Sequence, residues 1–163
     1  MRRLAWAAAA LPALALGAAA CGGGGSGGGY GSAPKASAPP TAAAAVVAVH
    51  DSKLGTILTD SQGRTLYLFE KDTPTASHCD GTCATAWPPL TTTGTPHAGT
   101  GVSAADLGTV TRADHSMEVT YHGHPLYYFA GDHRPGDTNG EGSTAFGAGW
   151  YVLDPSGNKI NNG

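Results

Sequence analysis

Two tyrosines and two aspartates recur in this chain at one spacing, and they are the side chains best suited to chemistry. Tyr67 precedes Asp72 just as Tyr127 precedes Asp132, with four residues between the members of each pair. Phenol hydroxyls and carboxylates could line one ligand site shared by two related segments, or could serve acid–base chemistry. The structural alternative is that each tyrosine packs in the core while each aspartate caps a turn by accepting backbone N–H groups. Because no nucleophile with a convincing base accompanies either pair, an enzyme is the less favoured interpretation.

A tryptophan follows each Tyr/Asp pair, as Trp87 and Trp150. Large aromatic side chains dominate burial in a small β domain, so these two residues are predicted to occupy equivalent core positions. If they were exposed instead, they could stack on a sugar or peptide ligand. They therefore join the tyrosines and aspartates as candidate binding residues.

Cys79 and Cys83 lie four positions apart, directly after His78. In an exported protein, thiols this close in sequence favour a disulfide. The alternative is a soft ligand set, because Cys-x3-Cys with a nearby histidine suits Cu(I) or, less well, Zn²⁺. The motif is not the Cys-x-x-Cys-His of covalent haem attachment. A structural disulfide needs no cofactor, whereas the alternative makes copper possible.

Two further histidines are weaker metal candidates. His122 and His124 flank Gly123, where a strand reversal is predicted. Imidazoles are common ligands of transition metals, and His115 and His133 could lie near them in space. The alternative is an ordinary polar turn.

The segment 132–142 is rich in glycine and in oxygen-bearing side chains. Asp137, Asn139 and Glu141 could offer hard ligands to Ca²⁺, although their spacing does not match an EF-hand loop. The alternative is an ordered surface loop stabilised by Asx-turns.

The elements that must position these residues are predicted to be β-strands. Strand–turn–strand units are predicted at 56–69, 117–129 and 150–160, from alternating apolar residues around turn-forming segments. Short helices are possible at 79–86 or 103–107. Since the sequence shows no long segment with helical periodicity, the predicted fold is mainly β, a compact antiparallel β domain built from two related repeats that share one core, with little helix.

The predicted folded region is 46–163, with repeat one at about 54–94 and repeat two at about 115–160. This length suits one modest domain and is too short for two independent ones. The preceding segment, 21–45, is nearly all Gly, Ala, Ser and Pro. It is predicted to be a flexible tether, because it cannot bury enough apolar surface to order itself.

The first residues are typical of an export signal, with basic residues up to Arg3, an apolar stretch from Leu4 to Leu16 and small residues before Cys21. A cysteine directly after such a segment resembles a bacterial lipoprotein signal, which predicts a signal peptide at 1–20 and lipidation of Cys21. Acyl chains on Cys21 would hold the protein on the outward face of the cell membrane. The alternative is a plain secretory signal with an incidental cysteine.

The charge of the chain argues against nucleic acid as a partner. Nine basic and twelve acidic residues give a formal net charge of −3, and two of the nine basic residues are Arg2 and Arg3 in the signal segment. The remaining basic residues form no patch. The expected partners are therefore the membrane, through the lipid on Cys21, and a protein or small ligand that the sequence does not identify.

Taken together, several motifs resemble the bacterial lipoprotein family described as a secreted repeat of unknown function. They are the paired Tyr-x4-Asp motifs, the lipoprotein-type start, the segment Trp87-Pro88-Pro89-Leu90 and the segment 149–153. The resemblance extends from about Leu54 to Gly157 and implies tandem repeats, but it implies no activity.

The sequence thus predicts an exported, membrane-anchored lipoprotein of the cell envelope that acts as a non-catalytic binding or structural module. The second hypothesis is a copper-binding or thiol-redox lipoprotein that uses Cys79 and Cys83.

Overall fold

The computed structural model describes residues 43–161, which form a β structure with little helix. The predicted signal peptide, Cys21 and nearly all of the predicted tether lie outside the described residues. The α-helix of the described region, α1, spans only Thr82–Ala86. In chain order the strands are β1 (Val46–Ser52), β2 (Gly55–Asp60), β3 (Tyr67–Phe69), β4 (Thr91–Thr92), β5 (His97–Ala98), β6 (Leu107–Thr111), β7 (Met117–Tyr121), β8 (His124–Pro125) and β9 (Trp150–Val152).

The strands of residues 43–161 are arranged in three small sheets. The first has the order β2-β1-β5, the second pairs β3 with β9, and the third has the order β4-β7-β6 with β8 also on β7. Only β1 and β5 pair in parallel within this region, and the other strand pairs are antiparallel. The predicted fold class, mainly β with antiparallel pairing, is confirmed.

The first predicted strand–turn–strand unit is present, but its second arm divides. The N–H of Asp60 donates to the carbonyl of Arg64 at 2.9 Å, and the N–H of Leu66 donates to that of Leu58 at 3.0 Å. Beyond Leu66 the chain leaves β2 and pairs as β3 with β9. The hairpin therefore delivers its second strand to another sheet.

The other two predicted units are also present. β7 and β8 pair across the two-residue turn His122-Gly123. Both turn residues have positive φ, as a type I′ hairpin turn requires. After β9 the chain reverses through the turn at 154–158, and Leu153 and Lys159 form an antiparallel bridge across it. The two predicted helical segments contain α1 and a 3₁₀ turn at Ala104–Asp106.

Four strands were not predicted, the longer β1 and β6 and the two-residue β4 and β5. β1 follows an alanine-rich stretch and shows little alternation, yet it pairs with β2 through the register pairs from Val47–Asp60 to Ser52–Gly55. β6 pairs with β7 in the same antiparallel way, through the register pairs from Leu107–Tyr121 to Thr111–Met117. Each repeat therefore begins one strand earlier than its sequence pattern indicates.

Both repeats contribute to both clusters of buried side chains. One cluster joins Leu58 and Leu66 to Val119 and Leu126, which are their counterparts in the second repeat. The other contains the motif tyrosines and the tryptophans of both repeats. The predicted sharing of one core between the repeats follows from this mixing.

The predicted disulfide is confirmed, because Cys79 and Cys83 are bonded to each other. Both residues are buried, and α1 begins inside the ring that the bond closes. The helix leads directly to Trp87, so the disulfide fixes the path of the chain into the core.

Replacement of both Cys79 and Cys83 by Ser is expected to lower the free energy of unfolding by about 2 kcal/mol, as the chain-entropy relation gives for so short a loop. Urea unfolding with and without a reductant measures the effect. Reductant should move the wild-type protein towards the variant and leave the variant unchanged. Equal stability of the oxidised wild type and the variant would contradict a structural role for the bond.

Candidate functional site

The two repeats meet at their motif tyrosines. The N–H of Tyr67 donates to the carbonyl of Tyr127 at 2.9 Å, and the N–H of Tyr127 donates to the carbonyl of Tyr67 at 3.0 Å. The two residues thus form an antiparallel bridge in which each plays the same part. This reciprocity relates the repeats by an approximate twofold axis between the two tyrosines.

Each tyrosine hydroxyl is bound by the aspartate of the other repeat. The hydroxyl of Tyr67 donates to Oδ2 of Asp132, and the hydroxyl of Tyr127 donates to Oδ2 of Asp72, both at 2.6 Å. We call these contacts the exchanged Tyr–Asp pairs. Their short distances are typical of hydrogen bonds to an ionised acceptor.

The second oxygen of each aspartate holds the loop that follows it. Oδ1 of Asp72 accepts the N–H of His78 at 2.6 Å, and Oδ1 of Asp132 accepts the N–H of Asn139 at 2.9 Å. The aspartates therefore cap turns, as the structural alternative predicted, while they also join the repeats.

Burial sets the ionisation of these groups. Desolvation is the main cause that raises the pKa of Tyr67 and of Tyr127, and the neighbouring carboxylates raise both further. Burial also raises the pKa of Asp72 and of Asp132, against the opposing effect of the hydrogen bonds they accept. The phenols therefore remain protonated donors at neutral pH, and they are not available as bases.

The two tryptophans lie side by side behind the tyrosines. Trp87 and Trp150 are 1% and 0% exposed, and their rings stack with centroids 4.0 Å apart. Tyr67 meets Trp87 edge-on at 5.3 Å, and Tyr127 meets Trp150 edge-on at 5.2 Å. The structure thus places the tryptophans at equivalent core positions, with their faces covered by other aromatic rings.

A buried ion pair of the second repeat contacts the first repeat, and the sequence pattern did not predict it. Nη1 of Arg112 lies 2.7 Å from Oε2 of Glu118, and both side chains are at most 2% exposed. The same guanidinium donates to Oγ of Ser77, whose hydroxyl is hydrogen-bonded to that of Tyr127. Burial raises the pKa of Glu118 to about 7, against the opposing effect of Arg112. Through Ser77, the ion pair is connected to the hydroxyl of Tyr127. It thereby links the exchanged Tyr127–Asp72 pair to β7, which contains Glu118.

The candidate metal ligands are dispersed or already bonded. Within residues 43–161, no group of three or more His, Cys, Asp and Glu side chains is placed to hold a metal ion. Neither sulfur of Cys79 and Cys83 is a thiolate while the disulfide is intact. His78 and His122 instead lie 3.6 Å from the carboxylates of Asp72 and Asp106 respectively. Copper binding stays a prediction for the reduced protein.

The acidic side chains of segment 132–142 accept backbone N–H groups, within the loop at Asp137 and from β9 at Glu141. Oδ2 of Asp137 accepts the N–H groups of His133 and Arg134 at 3.0 and 2.9 Å, and Oε2 of Glu141 accepts the N–H of Val152 at 2.7 Å. These contacts order the loop, as the structural alternative expected, but they are not Asx-turns, because Asp137 accepts from residues that precede it.

Two surface clefts flank the exchanged Tyr–Asp pairs. The larger, which we call the lysine cleft, has a volume of about 430 Å³, and the smaller, the arginine cleft, has a volume of about 240 Å³. The lysine cleft is lined by Leu68, Phe69, Glu70, Asp72, His124, Gly157, Asn158 and Lys159. The arginine cleft is lined by Arg64, Thr65, Pro88, Tyr128, Phe129, Ala130, Asp132, His133 and Arg134.

The clefts are counterparts under the approximate twofold axis. The residues 68–70 and Asp72 of the lysine cleft correspond in the repeat alignment to 128–130 and Asp132 of the arginine cleft. Each cleft is also lined by a residue of the other repeat's hairpin. His124 lines the lysine cleft and Arg64 lines the arginine cleft, and each begins the second arm of its hairpin. The motif aspartates therefore line two separate clefts, and the motif hydroxyls lie behind them in the interior.

The fold and the site define a class of protein, a tandem-repeat β domain in which each repeat completes the Tyr/Asp motif of the other. The family described as a secreted repeat of unknown function matches the chain twice, over residues 48–91 and 108–154, which together make up more than half of it. The chain belongs to this family, and the predicted internal repeat is confirmed. The matched ranges begin in β1 and in β6, two of the strands that the sequence pattern did not predict. No curated protein and no solved structure matches the chain.

Substitution of Phe for Tyr67 or for Tyr127 is expected to lower the free energy of unfolding by about 1.5–3 kcal/mol, because a buried aspartate loses a donor. Tyr151→Phe is the matched control, since within residues 43–161 its hydroxyl has no hydrogen-bond partner. That control should change stability by less than about 0.5 kcal/mol. Urea unfolding of the three variants decides the matter, and equal stability of all three would contradict a structural role for the exchanged pairs.

Proposed function

We propose that the protein is a lipid-anchored, extracytoplasmic module that binds small ligands in its two clefts without chemical conversion. Membership of a family of secreted repeats supports an extracytoplasmic location. Within residues 43–161 no helix is long and apolar enough to cross a membrane. Anchoring through a lipid on Cys21, with residues 21–45 as a tether, follows from the sequence of the N-terminal segment.

The observation that carries the binding role is the position of the motif aspartates. Asp72 and Asp132 each contribute to the wall of a cleft while both carboxylate oxygens are hydrogen-bonded from behind. A cleft whose wall is fixed in this way is preorganised, which lowers the entropy lost when a ligand binds.

A non-catalytic role is favoured by the bonding of the same groups. The motif hydroxyls are buried donors, and the motif carboxylates accept hydrogen bonds at both oxygens. Groups held in this way serve poorly as a general acid or base, which must exchange a proton with the substrate.

Replacement of Cys21 by Ala is expected to abolish acylation, because the thiol is the proposed attachment point for lipid. Incorporation of labelled palmitate by cells that produce the full-length protein measures this. The wild type and a Ser26→Ala control should take up label, whereas Cys21→Ala should not. A wild-type protein without label would contradict the anchor and favour a plain secretory signal.

A panel of small carboxylates, amines, sugars and amides is expected to contain compounds that raise the melting temperature of the full-length protein, because a ligand stabilises the folded state that binds it. Each effect should weaken in either Glu70→Gln or Arg134→Gln, which remove one charge from the lysine cleft or from the arginine cleft. A panel without effect, or effects that persist in both variants, would contradict ligand binding in the clefts.

A further inference from the structure

We propose that the arginine cleft is a site for a small organic carboxylate with a flat apolar body, such as an aromatic acid. This inference rests on the proposed function and specifies the ligand class of one of its two clefts. Three features of the cleft support this assignment: its apolar floor, the free N–H donors at its border and its size.

The floor of the cleft is a fixed aromatic surface. The ring of Phe129 lies 4.4 Å from that of Trp87, centroid to centroid, and edge-on to Tyr67. A Cβ atom on Gly131 would lie 2.4 Å from Cε1 of the Phe129 ring, and one on Gly140 would lie 3.1 Å from its Cγ. Only glycine at position 131 allows the ring to lie where it does, since real Cβ contacts are not as short as 2.4 Å, and a side chain at position 140 would press on both Phe129 and Trp87. Phe129 and Pro88 thus offer a rigid apolar surface to a planar ligand.

Two guanidinium groups border this surface. Arg64 lies over the ring of Tyr128 at 4.0 Å, and its Nε and Nη2 contact Oδ2 of Asp60 at 2.7 Å. Within residues 43–161 its Nη1 has no hydrogen-bond partner. The side chain of Arg134 is exposed and forms no ion pair or hydrogen bond in the same region. The guanidinium of Arg134 suits a planar carboxylate, which such a group binds through two parallel hydrogen bonds. Arg64 can add one further hydrogen bond through Nη1, because its Nη2 also donates to the hydroxyl of Tyr128.

Asp60 occupies Nε and Nη2 of Arg64, but the acidic residues nearby leave the donors of Arg134 free. Both oxygens of Asp132 accept hydrogen bonds, from the hydroxyl of Tyr67 and from the N–H of Asn139. Asp137 attracts Arg134 at a distance, but its Oδ2 accepts backbone N–H groups of the loop. An incoming carboxylate therefore has an unfilled place beside Arg134.

The lysine cleft differs in this respect, although it occupies the equivalent position. Its ammonium group on Lys159 is paired with Glu70, so that the lysine offers no unpaired charge to a ligand. The excess of free cationic donors is thus a property of the arginine cleft, and the contrast predicts that the two clefts do not take the same ligand.

The size of the cleft limits the ligand. At about 240 Å³ it lies below the range of about 300–1,000 Å³ that is usual for drug-sized ligands. One aromatic ring with a carboxylate fits such a volume.

The test compares three probes with the full-length protein by isothermal titration calorimetry. Phenylacetate carries both the ring and the charge, phenylacetamide keeps the ring without the charge, and acetate keeps the charge without the ring. Phenylacetate is expected to bind at least about tenfold more tightly than either of the others, because each lacks one of the two contacts.

Arg134→Gln should weaken phenylacetate binding by about tenfold. Lys53→Gln, which removes an equal charge from the turn between β1 and β2, should leave the affinity unchanged. Equal binding of phenylacetamide, no binding of phenylacetate, or no effect of Arg134→Gln would each overturn the inference. If panel compounds still lose their effect in Glu70→Gln, the proposed binding function stands and only the ligand class assigned to the arginine cleft fails.

Discussion

The exchanged Tyr–Asp pairs are the contacts on which the rest of the structure depends. Each repeat buries a phenol whose acceptor belongs to the other repeat, at 2.6 Å in both directions. A buried donor or acceptor without a partner is strongly unfavourable, so neither repeat can complete its own motif in isolation. This constraint explains why a chain of two repeats forms one domain. The shared core follows from it, because the tyrosine bridge brings the two tryptophans into contact.

Both repeats contribute equally to the exchanged Tyr–Asp pairs and to the tryptophan stack. They differ in the connection between each aspartate and its tryptophan. In the first repeat that connection is fixed by the Cys79–Cys83 disulfide, and the carbonyl of Cys79 accepts a hydrogen bond from Arg112. In the second repeat the connection is stabilised by turn contacts around Asp137 and by the close approach of Gly140 to Trp87. Two solutions to one geometric requirement leave different side chains at the surface. The two clefts therefore have related walls and unlike charges.

Much of this fold could be predicted from the sequence, because its determinants are local. The hairpins, the short helices and the disulfide depend on residues close together in the chain, such as the His122-Gly123 turn. β1 and β6 could not, since their pairing partners impose a strand on segments with weak alternation. The Arg112–Glu118 pair could not be predicted either, because charged residues are usually exposed and the sequence does not show that both of these are buried.

In the candidate site, the sequence predicts which residues take part but not which residues contact one another. The spacing of Tyr67 to Asp72 and of Tyr127 to Asp132 identifies the residues, and it suggests either a ligand site shared by the repeats or core packing of each tyrosine with turn capping by each aspartate. The structure exchanges the partners, because the antiparallel tyrosine bridge carries each hydroxyl past its own repeat. Sequence spacing carries no information on which copy of a duplicated group is the partner, since both copies offer the same chemistry. The clefts depend on this exchange, because Asp72 and Asp132 line them while the tyrosine hydroxyl of the opposite repeat fixes the position of each carboxylate.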